Sequence, residues 1–178
     1  MVEKKLITLA CAIGILACGA CFLPPPTYHP PRLRLGLRGV QSIRVEAANV
    51  SESHHLDPAS LAWGIASCIN VQTRNTGVSG TAQKEAGFED AVLQITVLNE
   101  SATPSPSSDK RLSVLVRISA TLTNQNGQMV WRETDAAYPV SYHFTSKDSA
   151  DAWKEPNWQR WVASTVGSRL VSRMFYGH

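Results

Sequence analysis

Leu112-Ser-Val-Leu-Val-Arg-Ile-Ser-Ala-Thr-Leu122 decides the fold. Leu112, Val114, Val116, Ile118, Ala120 and Leu122 recur at every second position, a period that lines one face of a half-buried β-strand. Asn124-Gln-Asn-Gly127 then supplies turn residues that tolerate a positive φ, so the chain reverses into an antiparallel partner. That partner spans Gln128 to Phe144, and Pro139, which has no N–H to donate, marks a bend or a sheet edge within it. Upstream, Ala91 to Leu98 reads as another strand, with Ala91, Leu93, Ile95 and Val97 on one face, and Ser101 to Asp109 reads as a Ser/Pro loop. These three strands form a meander.

Working outward, Ile43, Val45 and Ala47 alternate with Arg44 and Glu46 in the segment Arg32 to Val50, predicting a further strand. Leu33, Leu35 and Leu37 extend the pattern, with Gly36 and Gly39 as a break. Asp57-Pro58 combines a capping carboxylate with proline at the first helical turn, where its missing N–H costs nothing. Leu61, Ile65, Cys68 and Ile69 then share one helix face, and the helix ends near Gln72. Residues 73–90 are polar and carry no strand pattern. Pro156 opens a last helix on which Trp158, Val162, Val166, Leu170 and Met174 form an apolar stripe. Trp161 and Thr165 widen that stripe, and Arg160, Arg169 and Arg173 lie off it. The order β-α-β-β-β-α predicts an α+β two-layer sandwich, a mixed four-stranded sheet packed by two helices, in a single domain over 32–178.

The chain of 178 residues begins differently. Lys4 and Lys5 precede an apolar run of 12 residues, Leu6 to Ala17. As a helix it reaches roughly 18 Å, short of the ~20 residues that span a bilayer but suited to a signal segment. Ile15-Leu-Ala-Cys18 resembles the bacterial lipobox at its first, third and last positions, and Cys18-Gly-Ala-Cys21 at its second, third and last. Cys18 is the favoured lipidation site and Cys21 the alternative; secretory cleavage after Ala17-Cys-Gly19 is the other reading. The resemblance implies removal of residues 1–17, a diacylglycerol thioether and an amide-linked acyl chain such as palmitate. Several chains together would make the tether effectively permanent. Neither cysteine is followed by Asp, the residue that resembles an inner-membrane retention signal, so a lipoprotein of this type is expected at the outer membrane, facing the periplasm. Leu23-Pro-Pro-Pro-Thr-Tyr-His-Pro-Pro31 favours polyproline II and predicts a stiff tether over 18–31.

A net charge of +3 is too mild to argue for nucleic acid. Arg32, Arg34, Arg38 and Arg44 cluster, as a solvated edge strand or as a contact for phospholipid or lipopolysaccharide phosphates. Cys68 is the only cysteine of the domain, and either stays a small buried thiol or pairs with Cys21 in an oxidising periplasm. Neither a Gly-x-Ser-x-Gly elbow nor a phosphate loop occurs. His54-His55 can bind metal in principle but reads better as a solvated loop pair, and Glu89-Asp90 as a polar strand start rather than an acid–base pair. Trp153, Trp158 and Trp161 read as helix packing or as an interface. No enzyme activity, cofactor or metal is expected.

Taken together, these features resemble the LptE family of outer-membrane lipopolysaccharide-assembly lipoproteins. The residues that carry the resemblance are the lipobox and Gly39-Val-Gln-Ser-Ile-Arg-Val45 leading toward Asn49. They continue with Glu89-Asp-Ala-Val-Leu93, the long strand to Thr123, the Asn126-Gly127 turn and Val130-Trp131. The resemblance implies a non-enzymatic role, plugging an LptD barrel, assisting its assembly and contacting lipopolysaccharide. It also implies basic residues on the hairpin joining the meander's first two strands, where Lys110 and Arg111 stand. A periplasmic interaction lipoprotein, serving a peptidoglycan synthase or an ABC transporter, is the alternative.

Overall fold

Six inward side chains of the central strand, Leu112, Val114, Val116, Ile118, Ala120 and Leu122, are all buried, as their spacing predicts. A computed structural model of the chain describes Leu37 and residues 39–82, 90–104 and 110–177, all within Arg32–His178. The expected signal segment, tether and lipidated cysteine lie outside these residues, as do Arg32, Arg34 and Arg38.

The elements are β1 (Ser42–Asn49), α1 (Pro58–Gln72), β2 (Ser79–Thr81), β3 (Ala91–Pro104), β4 (Arg111–Asn124), β5 (Met129–His143), a 3₁₀ turn (Ser149–Lys154) and α2 (Pro156–Tyr176). The sheet order is β2-β1-β3-β4-β5. β1 runs parallel to β3, from Ile43 beside Ala91 to Asn49 beside Val97, while β3, β4 and β5 form the antiparallel meander. Parallel neighbours need a long crossover, which α1 provides. α1 packs on β1 and β2, α2 on β5, and the two helices on each other, so one helical layer covers one sheet face. The α+β two-layer architecture is as predicted.

Three details differ from the sequence reading. The sheet has five strands, not four: β2 lies in the segment read as polar and pairs in parallel with β1, Ser42 beside Ser79 and Arg44 beside Thr81. Three residues held by backbone pairing carry no side-chain period to betray them. Consequently β1 is internal rather than an edge strand, and Arg44 pairs along it with Glu46 at 3.0 Å. β3 also continues to Pro104, through part of the expected Ser/Pro loop.

A bulge between Val97 and Asn99 explains that extension. Before it the odd-numbered residues face inward; one extra residue flips the phase and turns Glu100 toward the core. Glu100, 7% exposed, accepts hydrogen bonds from Ser51 Oγ at 3.0 Å and the Leu56 N–H at 3.0 Å, and a third from Asn49 Nδ2. A carboxylate there ties β3 to the end of β1 and the loop before α1. A second irregularity lies in β5 opposite Ile118–Ala120. Asp135 adopts φ +53 there and pairs with Arg117. It shifts the inward set from Trp131 to Ala136, Tyr138, Val140 and Tyr142.

Asp57 caps α1 as predicted, accepting the Ser60 N–H at 2.7 Å, and α2 ends at Gly177 with φ +85. Leu61, Ile65 and Ile69 of α1 and Trp158, Val162, Val166, Leu170 and Met174 of α2 are all in the core. Burying each large apolar side chain contributes about 1.5–3 kcal/mol. Between the helices only small residues fit: a Cβ built on Gly64 would stand 2.6 Å from Ala163 Cβ.

Candidate functional site

Arg111 begins β4 and Lys110 immediately precedes it, at the end of the β3–β4 connection. Arg111 is exposed and stands opposite His143 of β5. Lys110 takes φ +47, its carbonyl accepts the Phe144 N–H at 3.0 Å, and its ammonium reaches Thr145 O at 3.4 Å. The segment they rest on is pinned from α2. Glu155, just before that helix, accepts the Thr145 N–H at 2.6 Å, the Ser146 N–H at 2.7 Å and the Tyr142 hydroxyl at 2.6 Å. The Tyr142 bond and the two backbone donors depress the Glu155 carboxyl to about 2. Burial and the same bond push the Tyr142 phenol up to about 12. The basic pair is thus presented on a fixed scaffold.

The other residues singled out by sequence do structural work. Asp90 accepts the Gln41 and Ser42 N–H groups at 2.8 and 2.9 Å, joining the starts of β1 and β3; Glu89 lies outside the described residues. His55 stacks on Trp153 at 4.0 Å, and its carbonyl accepts from Gln159 of α2. His54 takes φ +47 in the loop before it. Cys68 is half-buried and donates to Ser164 O at 3.5 Å, and burial raises its thiol. Cys21, its proposed alternative partner, lies outside the described residues.

The three tryptophans divide. Trp158, 1% exposed, is core, packed edge-on against Trp153 and Tyr142. Trp161, 52% exposed, does not widen the buried stripe as expected. Its indole N–H donates to Ser141 O on β5 at 2.9 Å. Arg169 makes the same kind of bond one strand step away, to Pro139 O at 2.6 Å. On the opposite edge, Asn70 of α1 pairs with Gly80 of β2 in both directions. Unpaired strand edges recruit other chains. Here helix side chains engage part of each edge, Ser141 O and Pro139 O on β5 and Gly80 on β2.

One residue missed by sequence is Trp63, 61% exposed. It stands on α1 beside the turn that carries Arg160, lining a cleft of about 500 Å³ with Asp57, Ser60, Ala82 and Gln159. Its signal was available: a tryptophan two positions after Leu61 falls off the apolar stripe. Tryptophan and arginine are the residue types that dominate protein interfaces.

No family model matches the chain, and no curated protein matches it. Solved structures are similar to it over most of its length. A protein designated a lipoprotein from Caulobacter crescentus CB15 is 12% identical, with 74% of this chain and 86% of that chain covered and a TM-score of 0.50. The PelC dodecamer from Paraburkholderia phytofirmans is 18% identical over 83% and 92% of the two chains, TM-score 0.44. The rare lipoprotein B from Shewanella oneidensis is 8% identical over 75% and 89%, TM-score 0.35. The likeness to the Caulobacter protein is one of fold: the chain has the α+β two-layer architecture found in that bacterial protein.

Proposed function

We propose that the chain is a lipid-anchored, non-enzymatic envelope protein whose folded domain is an interaction scaffold. In its particular form it acts as LptE does, seated in an LptD-like outer-membrane barrel and contacting lipopolysaccharide through Lys110 and Arg111. The observation that carries this reading is the exposed Lys110–Arg111 pair held on the Glu155-pinned segment. Supporting it, Glu100 and Glu155 have both carboxylate oxygens engaged by structural donors, and Asp90 and Asp57 each have Oδ2 engaged. The lipobox at Cys18, or alternatively Cys21, supplies the anchor.

Membrane pull-down of the tagged full-length chain tests the reading. Recovery of a large outer-membrane barrel is expected, with loss of surface lipopolysaccharide on depletion. Lys110→Glu with Arg111→Glu should weaken lipopolysaccharide binding and leave the anchor intact. Normal surface lipopolysaccharide and no barrel partner would refute it.

The Trp63–Arg160 cleft favours a second reading, a periplasmic interaction lipoprotein that docks a synthase or a permease. Recovery of such a protein, lost with Trp63→Ala, would select it.

A further inference from the structure

Arg169 and Arg173 lie one turn apart on α2, so both reach the same strip of surface. Together with Ser172, Tyr138, Pro139 and Ala137 they line a notch of about 380 Å³ where α2 meets β5. Each guanidinium is held by an acceptor on the β5 side. Arg169 Nη1 donates to Pro139 O at 2.6 Å. Arg173 Nη1 pairs with Glu133, whose other oxygen accepts the Tyr138 hydroxyl at 2.8 Å, and the guanidinium lies 5.2 Å from the centre of the Tyr138 ring. Pro139 O takes one donor of Arg169, and Glu133 and the Tyr138 hydroxyl engage Arg173; each guanidinium carries five N–H donors, so both have further donors to offer a ligand. Glu133 offsets one of the two positive charges, and the notch keeps the other.

The geometry points to this notch as a binding site for a phosphate group. A planar carboxylate is satisfied by one guanidinium fork, whereas two guanidinium groups lining one notch together with a serine suit a tetrahedral group with three or more acceptor oxygens. Since both arginines are already oriented by Pro139 and Glu133, little side-chain entropy is lost on binding. The site is separate from Lys110 and Arg111 and stands whether or not the chain contacts lipopolysaccharide.

The test follows the arginine side-chain N–H resonances of the full chain in non-ionic detergent during titration with inorganic phosphate and, separately, glycerol 3-phosphate. Saturable shifts at Arg169 and Arg173 are expected. Arg169→Gln, which spares the Arg173–Glu133–Tyr138 set, should weaken binding about tenfold or more. Arg173→Lys, which keeps the charge beside Glu133 but loses the fork, should weaken it similarly. Thermal melting of each variant confirms that it is folded. Tighter binding of glycerol 3-phosphate assigns a lipid headgroup, and tighter binding of inorganic phosphate assigns a free anion; either upholds the site. Absent shifts, affinity unchanged in both variants, or equal unsaturable shifts at Arg74 and Arg132 would overturn it.

Discussion

Asn70 closes the free edge of the sheet by pairing with Gly80 as a neighbouring strand would: its Nδ2 donates to Gly80 O at 2.9 Å and its Oδ1 accepts the Gly80 N–H at 2.8 Å. Asn70→Ala removes both bonds and leaves two backbone groups to water. A loss of about 1–2 kcal/mol is expected in urea unfolding. Asn70→Asp should cost more than Asn70→Ala, because its carboxylate faces the Gly80 carbonyl. If both variants unfold at the wild-type midpoint, the pairing does not stabilise the edge.

The contact between Gly64 and Ala163 sets how closely the helices approach. Gly64→Val should destabilise by about 1–3 kcal/mol or more, since the branched side chain has to displace α2. Gly127→Ala is the contrasting case. Nothing lies within 4 Å of a Cβ there, but φ is +74, so the expected cost is backbone strain of about 1 kcal/mol. Equal effects from the two would contradict the tight crossing.

Glu155 predicts an acid limb of stability. Its carboxyl falls from an ordinary 4.5 to about 2 in the folded chain, led by the Tyr142 hydrogen bond. A carboxyl depressed by folding stabilises above its unfolded pKa, and that contribution is lost as pH falls through the folded value. The contribution is therefore complete above about pH 4.5 and fades toward pH 2. Asp57 and Asp90, also lowered by hydrogen bonds, act in the same direction. Glu155→Gln should flatten part of the acid limb of a urea-midpoint profile. A profile parallel to wild type would show that the Tyr142–Glu155 bond does not form in solution.

Trp63 and Trp158 should separate function from stability. Trp158→Ala empties a core site and should cost about 3–5 kcal/mol. Trp63→Ala changes an exposed side chain and should alter stability by no more than about 0.5 kcal/mol, while weakening any protein partner in its cleft by about 2 kcal/mol. Melting curves and partner capture read the two effects independently.

Local periodicity was sufficient for the meander, for both helices with their apolar stripes and for the Asp57 cap, because each depends on residues within a few positions of one another. Local periodicity could not reveal β2, whose three residues are held by backbone pairing to β1 and by the Asn70 side chain, nor the bulges that turn Glu100 inward and put Asp135 at positive φ. An extra residue in a strand changes which side chains are buried without changing composition. The exposed arginines of α2 were read correctly as lying off the core stripe. Only the packing of α2 against β5 brought Arg169 to Pro139 and Arg173 to Glu133, because those contacts join residues 30 and 40 positions apart. Sequence alone determined the layers; the tertiary structure decided which polar side chains close the sheet edges and which cations remain available to a ligand.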